Sequence, residues 1–172
     1  GRDQEALEQF LDEAASNALI QDAVVSQSND DVARLWSLRD ASSEIARVLV
    51  NFANLDVSIP IGRMENFIDR VRDALNSRWP LARGVYFGHI GDSNLHVVFG
   101  SPEFPVADKK QAEALVYEVV REMGGSIAAE HGIGRMKRDY LDYSRTAAEI
   151  EMMRTLKRAL DPKGILNPGA VI

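Results

Sequence analysis

A tight β-hairpin pattern between Gly84 and Gly100 limits the folds open to this 172-residue chain more than any other stretch. The runs "GVYFGHI" and "LHVVFG" are rich in β-branched and aromatic residues, and "GDSN" between them supplies turn residues. A hairpin joins adjacent antiparallel strands, whereas parallel strands need a long crossover. The stretch therefore predicts an antiparallel sheet and disfavours a doubly wound parallel one.

Helical patterns and two further β-type runs flank the hairpin. The runs 19–28 and "LDVSIPI" (55–61) have strand composition, and Pro60 places the second at a sheet edge or a strand end. Together with the hairpin they predict an α+β fold, with an antiparallel sheet and helices packed on one face. The predicted helices are the Glu- and Ala-rich start (3–18) and stretches with apolar residues at helical spacing in 35–49, 64–75, 112–123 and 150–160.

Charge and composition exclude several classes of partner. The formal net charge of −6 argues against a nucleic-acid-binding or anionic-membrane surface. The chain has no cysteine, so disulfides and thiolate chemistry are excluded. Nothing in the sequence suggests secretion, and we expect a cytoplasmic location, or a mitochondrial one if the source is a eukaryote.

All three histidines of the chain, His89, His96 and His131, fall within a short segment rich in glycine. Folding the hairpin about Asp92 and Ser93 places His89 directly opposite His96, where facing Cβ atoms lie about 4.5–5.5 Å apart. Two imidazoles at that separation can share one metal ion. The carboxylate of the residue before His131 can act as a third ligand, which leaves His131 as a base beside the metal.

Other interpretations of these histidines remain open from the residues alone. Paired histidines on a sheet face are often only partly exposed side chains. A metal held by His89, His96 and Glu130 could also activate a water, which describes a self-contained zinc hydrolase. A third alternative is an interaction domain with no metal. Arg39 lies on one helix face with Ser43 and could bind a carboxylate, or it could pair with a neighbouring acid.

Three blocks of the sequence together resemble the C-terminal domain of FAD-linked oxidases. They are "GHIGDSNLHVVF", "GGSIAAEHGIGRMKRDYL" and "LKRALDPKGILNPGAVI", and the resemblance extends over about residues 19–172. The relevant branch oxidises 2-hydroxy acids such as D-lactate, glycolate and D-2-hydroxyglutarate. The resemblance implies a ferredoxin-like α+β fold. It also implies that residues 1–172 are the C-terminal cap of a larger enzyme, whose N-terminal FAD-binding domain is absent from this chain.

The resemblance further implies a reaction and its participants. His131 matches the base that takes the hydroxyl proton as hydride leaves C2 of the substrate for FAD. Three further positions match the family's ligands for a divalent metal, which is commonly zinc. The expected partners are a small 2-hydroxy acid and the FAD-binding domain, with a homodimer as a further way to cover an exposed edge. The residues carried over are the metal ligands His89, His96 and Glu130, the substrate contacts Arg39, Ser43 and Asn94, and the flavin contact Asn167.

Two positions depart from the family's pattern. Ser93 stands in the hairpin turn where the family usually has glycine, which matters only if the turn requires positive φ. Asn54 stands where the member specific for a dicarboxylate carries a lysine. Without that second cation, a monocarboxylate such as lactate or glycolate is the favoured substrate. The chain alone, without a flavin domain, is expected to be inactive.

Overall fold

A computed structural model describes residues 1–172, apart from the side chains of Ser43 and Ala46. The chain divides into two compact units, residues 1–45 and residues 46–172. The sheet and all three histidines belong to the second unit, so the candidate site is built there.

The first unit is helical. Helix α1 covers Arg2–Ser16 and helix α2 covers Asn29–Asp40, followed by one 3-10 turn. The hydroxyl oxygen of Ser28 accepts a hydrogen bond from the backbone N–H of Asp31 at 3.1 Å and so caps α2. The strand predicted over 19–28 is wrong, because this stretch is irregular chain between the helices. A β-branched run forms a strand only where another strand pairs with it.

The second unit contains a sheet of three antiparallel strands among the described residues. Strand β1 covers Phe52–Ser58, β2 covers Arg83–Phe87 and β3 covers Asn94–Gly100, in the order β1-β3-β2. The hairpin is β2 and β3, as the sequence predicts. On the outer edge of β1, Ser58 and Ser126 form one isolated antiparallel bridge. This bridge occupies the place that a fourth strand has in a ferredoxin-like sheet.

The helices of the second unit follow the expected α+β arrangement. A short helix α3 covers Ile45–Leu49 at the boundary of the units, α4 covers Met64–Arg78 and α5 covers Lys109–Glu122. Helix α6 covers Ala147–Leu160 after a 3-10 segment. The predicted α+β class is therefore confirmed. Among the described residues, no helix combines the length and apolar character needed to cross a membrane.

The core lies between one face of the sheet and helices α4 and α5. Alternate residues of the strands point to opposite faces, so each strand contributes every second side chain to this core. Each large side chain buried there contributes about 1.5–3 kcal/mol to folding. The core includes Leu55, Val57, Val97 and Phe99 from the sheet, Phe67, Val71 and Leu75 from α4, and Val116 and Val120 from α5. The opposite sheet face carries Asp56, Asn94 and His96.

A glycine turn at the end of α5 directs the chain towards that opposite face. Gly124 has φ +67°, and the N–H of Gly125 donates to the carbonyl of Val120 at 2.9 Å. This is the usual glycine termination of a helix. The next residue forms the bridge with Ser58, at distances of 2.8 and 2.9 Å. The chain therefore enters the segment around Glu130 alongside the end of β1.

A buried carboxylate shapes the C-terminal tail in a similar way. Asp161 accepts hydrogen bonds from Lys157 Nζ at 2.7 Å and from the backbone N–H groups of Ile165 and Leu166 at 3.0 Å each. The hydrogen bond from Lys157, together with those two N–H groups, holds the pKa of Asp161 below its ordinary value. Further on, the N–H of Val171 donates to the carbonyl of Gly134 at 2.7 Å, so the tail returns towards the segment that carries His131.

Candidate active site

The hairpin holds His89 and His96 in a register that differs from the sequence prediction. His96 on β3 faces Phe87 on β2, and its ring lies 5.1 Å from the Phe87 ring. His89 lies beyond the end of β2, where its carbonyl accepts hydrogen bonds from the N–H groups of Asp92 and Asn94 at 3.0 and 3.2 Å. The predicted direct pairing of His89 with His96 is therefore wrong. His89 lies opposite Asn94, so a four-residue turn over residues 90–93 replaces the expected two-residue turn.

The observed pairing of β2 with β3 is shifted by two residues from the predicted pairing, so each side chain stays on the predicted face of the sheet. Side chains alternate with a period of two, so a shift of two leaves a residue on its original side. The residue that His89 meets is Asn94, whose Nδ2 lies 3.3 Å from His89 Nδ1. His89 and His96 consequently still approach the same space, from the turn and from the strand.

Ser93 adopts positive φ in this turn, with φ 58° and ψ 19°. An L-residue in this left-handed conformation is destabilised by roughly 1–2 kcal/mol, and glycine is not. Glycine, however, loses more backbone entropy on folding, which offsets part of that advantage. We expect Ser93→Gly to raise the free energy of unfolding by roughly 0.5–1 kcal/mol in urea denaturation. Ser77→Gly, in helix α4, is the matched control and should destabilise the protein. A loss of stability in Ser93→Gly would contradict this account of the turn.

Glu130 is the carboxylate on which the two histidines converge. Its Oε1 lies 2.7 Å from His89 Nδ1 and also accepts a short hydrogen bond from Asn94 Nδ2. Its Oε2 lies 4.0 Å from His96 Nε2. The structure thus brings together the three predicted ligands, with Asn94 between two of them.

Asp56 holds the backbone of the segment that carries Glu130. This buried β1 residue accepts hydrogen bonds at Oδ2 from the N–H groups of Ala129, Glu130 and His131, at 3.0, 3.1 and 3.0 Å. Three consecutive N–H groups on one carboxylate oxygen fix the local chain direction. Glu130 and His131, which cannot point the same way from an extended chain, are both presented to the sheet face by this turn.

Burial alone raises the pKa of Asp56, but other contributions outweigh it. The N–H groups of His131, Glu130 and Ala129, together with the charge of Lys137, hold the pKa below its ordinary value, so Asp56 is ionised at neutral pH. Lys137 Nζ lies 3.7 Å from Asp56 Oδ2 and donates to the carbonyls of Asp56 and Ile127 at 3.1 and 2.9 Å. Burial lowers the pKa of Lys137, and the charge of Asp56 opposes that change.

His131 lies beside His96 with its side chain 57% exposed. The two rings are 5.6 Å apart at an angle of 33°. His131 Nδ1 lies 4.0 Å from Asp56 Oδ2, while its backbone is held by the same carboxylate. Its backbone is therefore fixed while its imidazole is accessible to a small molecule, which suits a proton acceptor.

Two overlapping sets of side chains can hold a divalent ion. The set His89, His96 and Glu130 combines two imidazoles with a half-exposed carboxylate, and Asn94 Oδ1 beside it is buried with no hydrogen-bond partner in the described part of the chain. In the set Asp56, His96 and His131, the ligand atoms lie within 4.8 Å of one another. Asp56 already accepts three N–H groups, whereas Asn94 Oδ1 beside the first set is an unused acceptor. The assignment of His89, His96 and Glu130 as ligands stays a prediction.

The other predicted site residues are carried by elements outside the sheet. Arg39 is at the end of α2 in the first unit, where its Nη1 lies 3.2 Å from Asp40 Oδ1 and its guanidinium is 5.9 Å from the Trp36 ring centre. The side chain of Ser43 lies outside the described residues. Asn167 has φ 45° in the tail that Asp161 organises. Their roles in binding substrate and flavin stay predictions.

Asp56 and Lys137 are the site residues that sequence reasoning missed. The alternation in "LDVSIPI" places Asp56 on the polar side of its strand, where it reads as an exposed carboxylate. Lys137 reads as one charge in the basic run "RMKR". The sequence feature that could have revealed Asp56 is that it and His96 are polar residues within apolar strands, and these two residues are directly opposite in the β1–β3 pair. Only the register of β1 against β3 shows that these two residues are neighbours.

Comparisons with known proteins agree with these observations. A family model described as FAD linked oxidases, C-terminal domain, matches residues 1–171. A D-2-hydroxyglutarate dehydrogenase of Stutzerimonas stutzeri is 37% identical over 175 residues, covering 99% of this chain and 37% of the relative. Mitochondrial D-2-hydroxyglutarate dehydrogenases of Danio rerio and Bos taurus are 37% and 36% identical, covering 96% and 98% of this chain. The chain spans about a third of the length of these relatives.

Proposed function

Because this chain belongs to the family of FAD-linked oxidase C-terminal domains, we propose that it is the substrate- and metal-binding domain of an FAD-dependent 2-hydroxy-acid dehydrogenase. The observation that carries the proposal is the convergence of His89 and His96 on the carboxylate of Glu130. Two imidazoles and one carboxylate form a common ligand set for a catalytic zinc ion, which keeps one coordination position open for substrate.

His89, His96 and Glu130 are the residues that would hold the metal in this proposal. When bound, the metal polarises the substrate hydroxyl and the flavin accepts the hydride from C2. The buried amide of Asn94 keeps the carboxylate of Glu130 facing His89, through the hydrogen bond that its Nδ2 donates to Glu130 Oε1. The convergence of these groups supports a divalent ion, and zinc is the ion that the ligand types favour.

His131 is the proposed base for the substrate hydroxyl. It receives the hydroxyl proton while the bond from C2 to hydrogen breaks, and the alcohol becomes a 2-oxo acid. A neutral imidazole is suited to this step because its protonation changes near neutral pH. The position of the ring, beside His96 and with its backbone fixed by Asp56, supports this role.

The flavin itself is proposed to bind mainly to a separate domain of the same protein. Support comes from the length of the relatives, of which this chain covers 37% and 31% in two cases. Asn167 is the residue of this chain proposed to reach the flavin, since it lies on the ordered turn of the tail. Arg39, on α2, is proposed to bind the carboxylate of the substrate through its guanidinium group.

Two observations favour different substrates within the proposed class. The relatives are named for D-2-hydroxyglutarate, which carries a second carboxylate. Asn54, exposed on β1 two residues from Asp56, offers no positive charge for such a group and favours lactate or glycolate. D-2-hydroxyglutarate is therefore the first substrate to test, followed by D-lactate and glycolate.

The test is the reduction of flavin by these acids in the full-length protein that carries this chain. D-2-hydroxyglutarate and D-lactate are compared with their L-enantiomers, and with achiral glycolate, by flavin absorbance under anaerobic conditions. We expect one D-acid or glycolate to bleach the flavin, and Asn54→Lys to improve the dicarboxylate relative to the monocarboxylates. Failure of every 2-hydroxy acid would contradict the proposal. Ester hydrolysis by this chain alone, dependent on zinc, would favour a hydrolase in its place.

A further inference from the structure

We propose that Asp56 is a positioning residue that orients two groups of the site at once, the turn with Glu130 and His131 and the ring of His96. This inference deepens the proposed function and rests on it where a metal is concerned. Asp56 contacts no substrate in the proposal. Its effect is transmitted through the residues that surround it.

The first half of the role is the backbone turn. Oδ2 of Asp56 receives the N–H groups of Ala129, Glu130 and His131, and Lys137 Nζ holds the carbonyls of Asp56 and Ile127. A carboxylate that accepts several N–H groups forms strong charge-assisted hydrogen bonds. The turn is therefore tied to strand β1 by its backbone, whatever the Glu130 and His131 side chains contact.

The second half is the orientation of His96. This ring lies between two carboxylates, with Nδ1 4.0 Å from Asp56 Oδ1 and Nε2 4.0 Å from Glu130 Oε2. Asp56 is buried, whereas Glu130 is 46% exposed and water screens its charge, so Asp56 has the stronger effect and favours the hydrogen on Nδ1. The lone pair of Nε2 is then on the side of Glu130. A histidine that binds a metal through one nitrogen commonly has a carboxylate facing the other, and this partner fixes its tautomer.

The register of the sheet makes both contacts available to one residue. Asp56 pairs directly with His96 across β1 and β3, on the face opposite the core. The side chain is fully buried, while those of Glu130 and His131 are 46% and 57% exposed. A rigid, buried anion thus supports two exposed functional groups. The residue that positions the site, Asp56, is therefore distinct from Glu130 and His131, the residues proposed to bind the metal and accept the proton.

Asp56→Asn is the first variant, because it keeps the shape of the side chain but replaces its charge and one acceptor oxygen. Asp161→Asn is the matched control. Asp161 is also a buried carboxylate that accepts backbone N–H groups and a lysine, but it organises the C-terminal tail. Both variants should lose stability, so stability alone does not discriminate between them.

Three measurements on the full chain test the role. Zn²⁺ titration should show affinity weakened by about 10–100-fold in Asp56→Asn and little changed in Asp161→Asn. Amide hydrogen exchange should accelerate at residues 129–131 in the first variant and at Ile165 and Leu166 in the second. Nitrogen-15 NMR of the imidazoles should show the Nδ1–H tautomer of His96 in the wild-type protein and its loss in Asp56→Asn.

The outcomes separate this inference from the proposed function. If the wild-type chain binds no Zn²⁺, the metal assignment fails, while hydrogen exchange and the His96 tautomer still test Asp56. If Asp56→Asn does not fold, the wild-type protein alone decides: rapid exchange at residues 129–131 or an Nε2–H tautomer of His96 overturns the role. A folded Asp56→Asn protein with unchanged exchange, tautomer and Zn²⁺ affinity also overturns it.

Discussion

Replacing His131 by alanine is expected to lower kcat for the oxidation of a 2-hydroxy acid by about 10²–10⁴-fold, the usual contribution of a general base. The backbone N–H of residue 131 remains bound to Asp56 in this variant, so the turn that presents Glu130 stays in place. The loss should therefore fall mainly on kcat, with substrate binding and Zn²⁺ affinity close to those of the wild-type protein. Steady-state kinetics of the flavin-containing full-length protein measures this.

Chemical rescue gives this prediction a second, independent readout. The His131 side chain is 57% exposed, so imidazole from solution can reach the space that the alanine variant leaves. Added imidazole should restore part of the activity in His131→Ala and should have no effect on the wild-type protein. If the alanine variant turns over at the wild-type rate, His131 is not the base and the proposed chemistry is wrong.

The double replacement His89→Ala, His96→Ala is expected to abolish stoichiometric Zn²⁺ binding. These residues supply two of the three proposed ligands, and Glu130 alone cannot retain the ion. Zn²⁺ at 100 times its dissociation constant should stabilise the wild-type chain by about 2.7 kcal/mol and the double variant by nothing. Thermal unfolding with and without Zn²⁺, beside metal analysis, measures both effects.

His131→Ala serves as the matched control for the double variant, since it removes an imidazole from the same site but none of the proposed ligands. It should bind Zn²⁺ as the wild-type chain does. Zn²⁺ binding that is lost in both His131→Ala and the double variant, but retained when His89 alone is replaced by alanine, would identify Asp56, His96 and His131 as the ligands. Binding retained in every variant would place the ion outside both sets.

The sequence was sufficient to predict the class of the fold and most of its elements. Helical periodicity identified α4, α5 and α6, and the hairpin identified the antiparallel sheet. The prediction of a strand over residues 19–28 was wrong, because a β-type composition favours an extended chain but does not supply a partner strand. Pairing is a property of the whole sheet, and the described sheet has its outer strands in β1 and β2.

The sequence identified side chains of the candidate site but not their geometry. The family blocks point to His89, His96 and Glu130, whose role as ligands stays a prediction, and in the structure Glu130 lies near both imidazoles. The register between the histidines depended on the conformation of residues 90–93, where Ser93 has positive φ, a conformation that serine rarely adopts. The contacts of Asp56 depended on the register of β1 against β3 and on a turn more than 70 positions away in the chain. Such a partner cannot be found from local pattern.

The order of the site residues along the chain has a consequence for how the protein matures. Strands β1, β2 and β3 and helix α5 all precede Glu130, so the platform is complete when the last proposed ligand leaves the ribosome. Every proposed ligand belongs to the unit of residues 46–172. All ligands of the proposed ion site are therefore supplied by one unit of this chain. In the proposed full-length protein, binding of the ion and binding of flavin to the preceding domain would be separable steps in biogenesis.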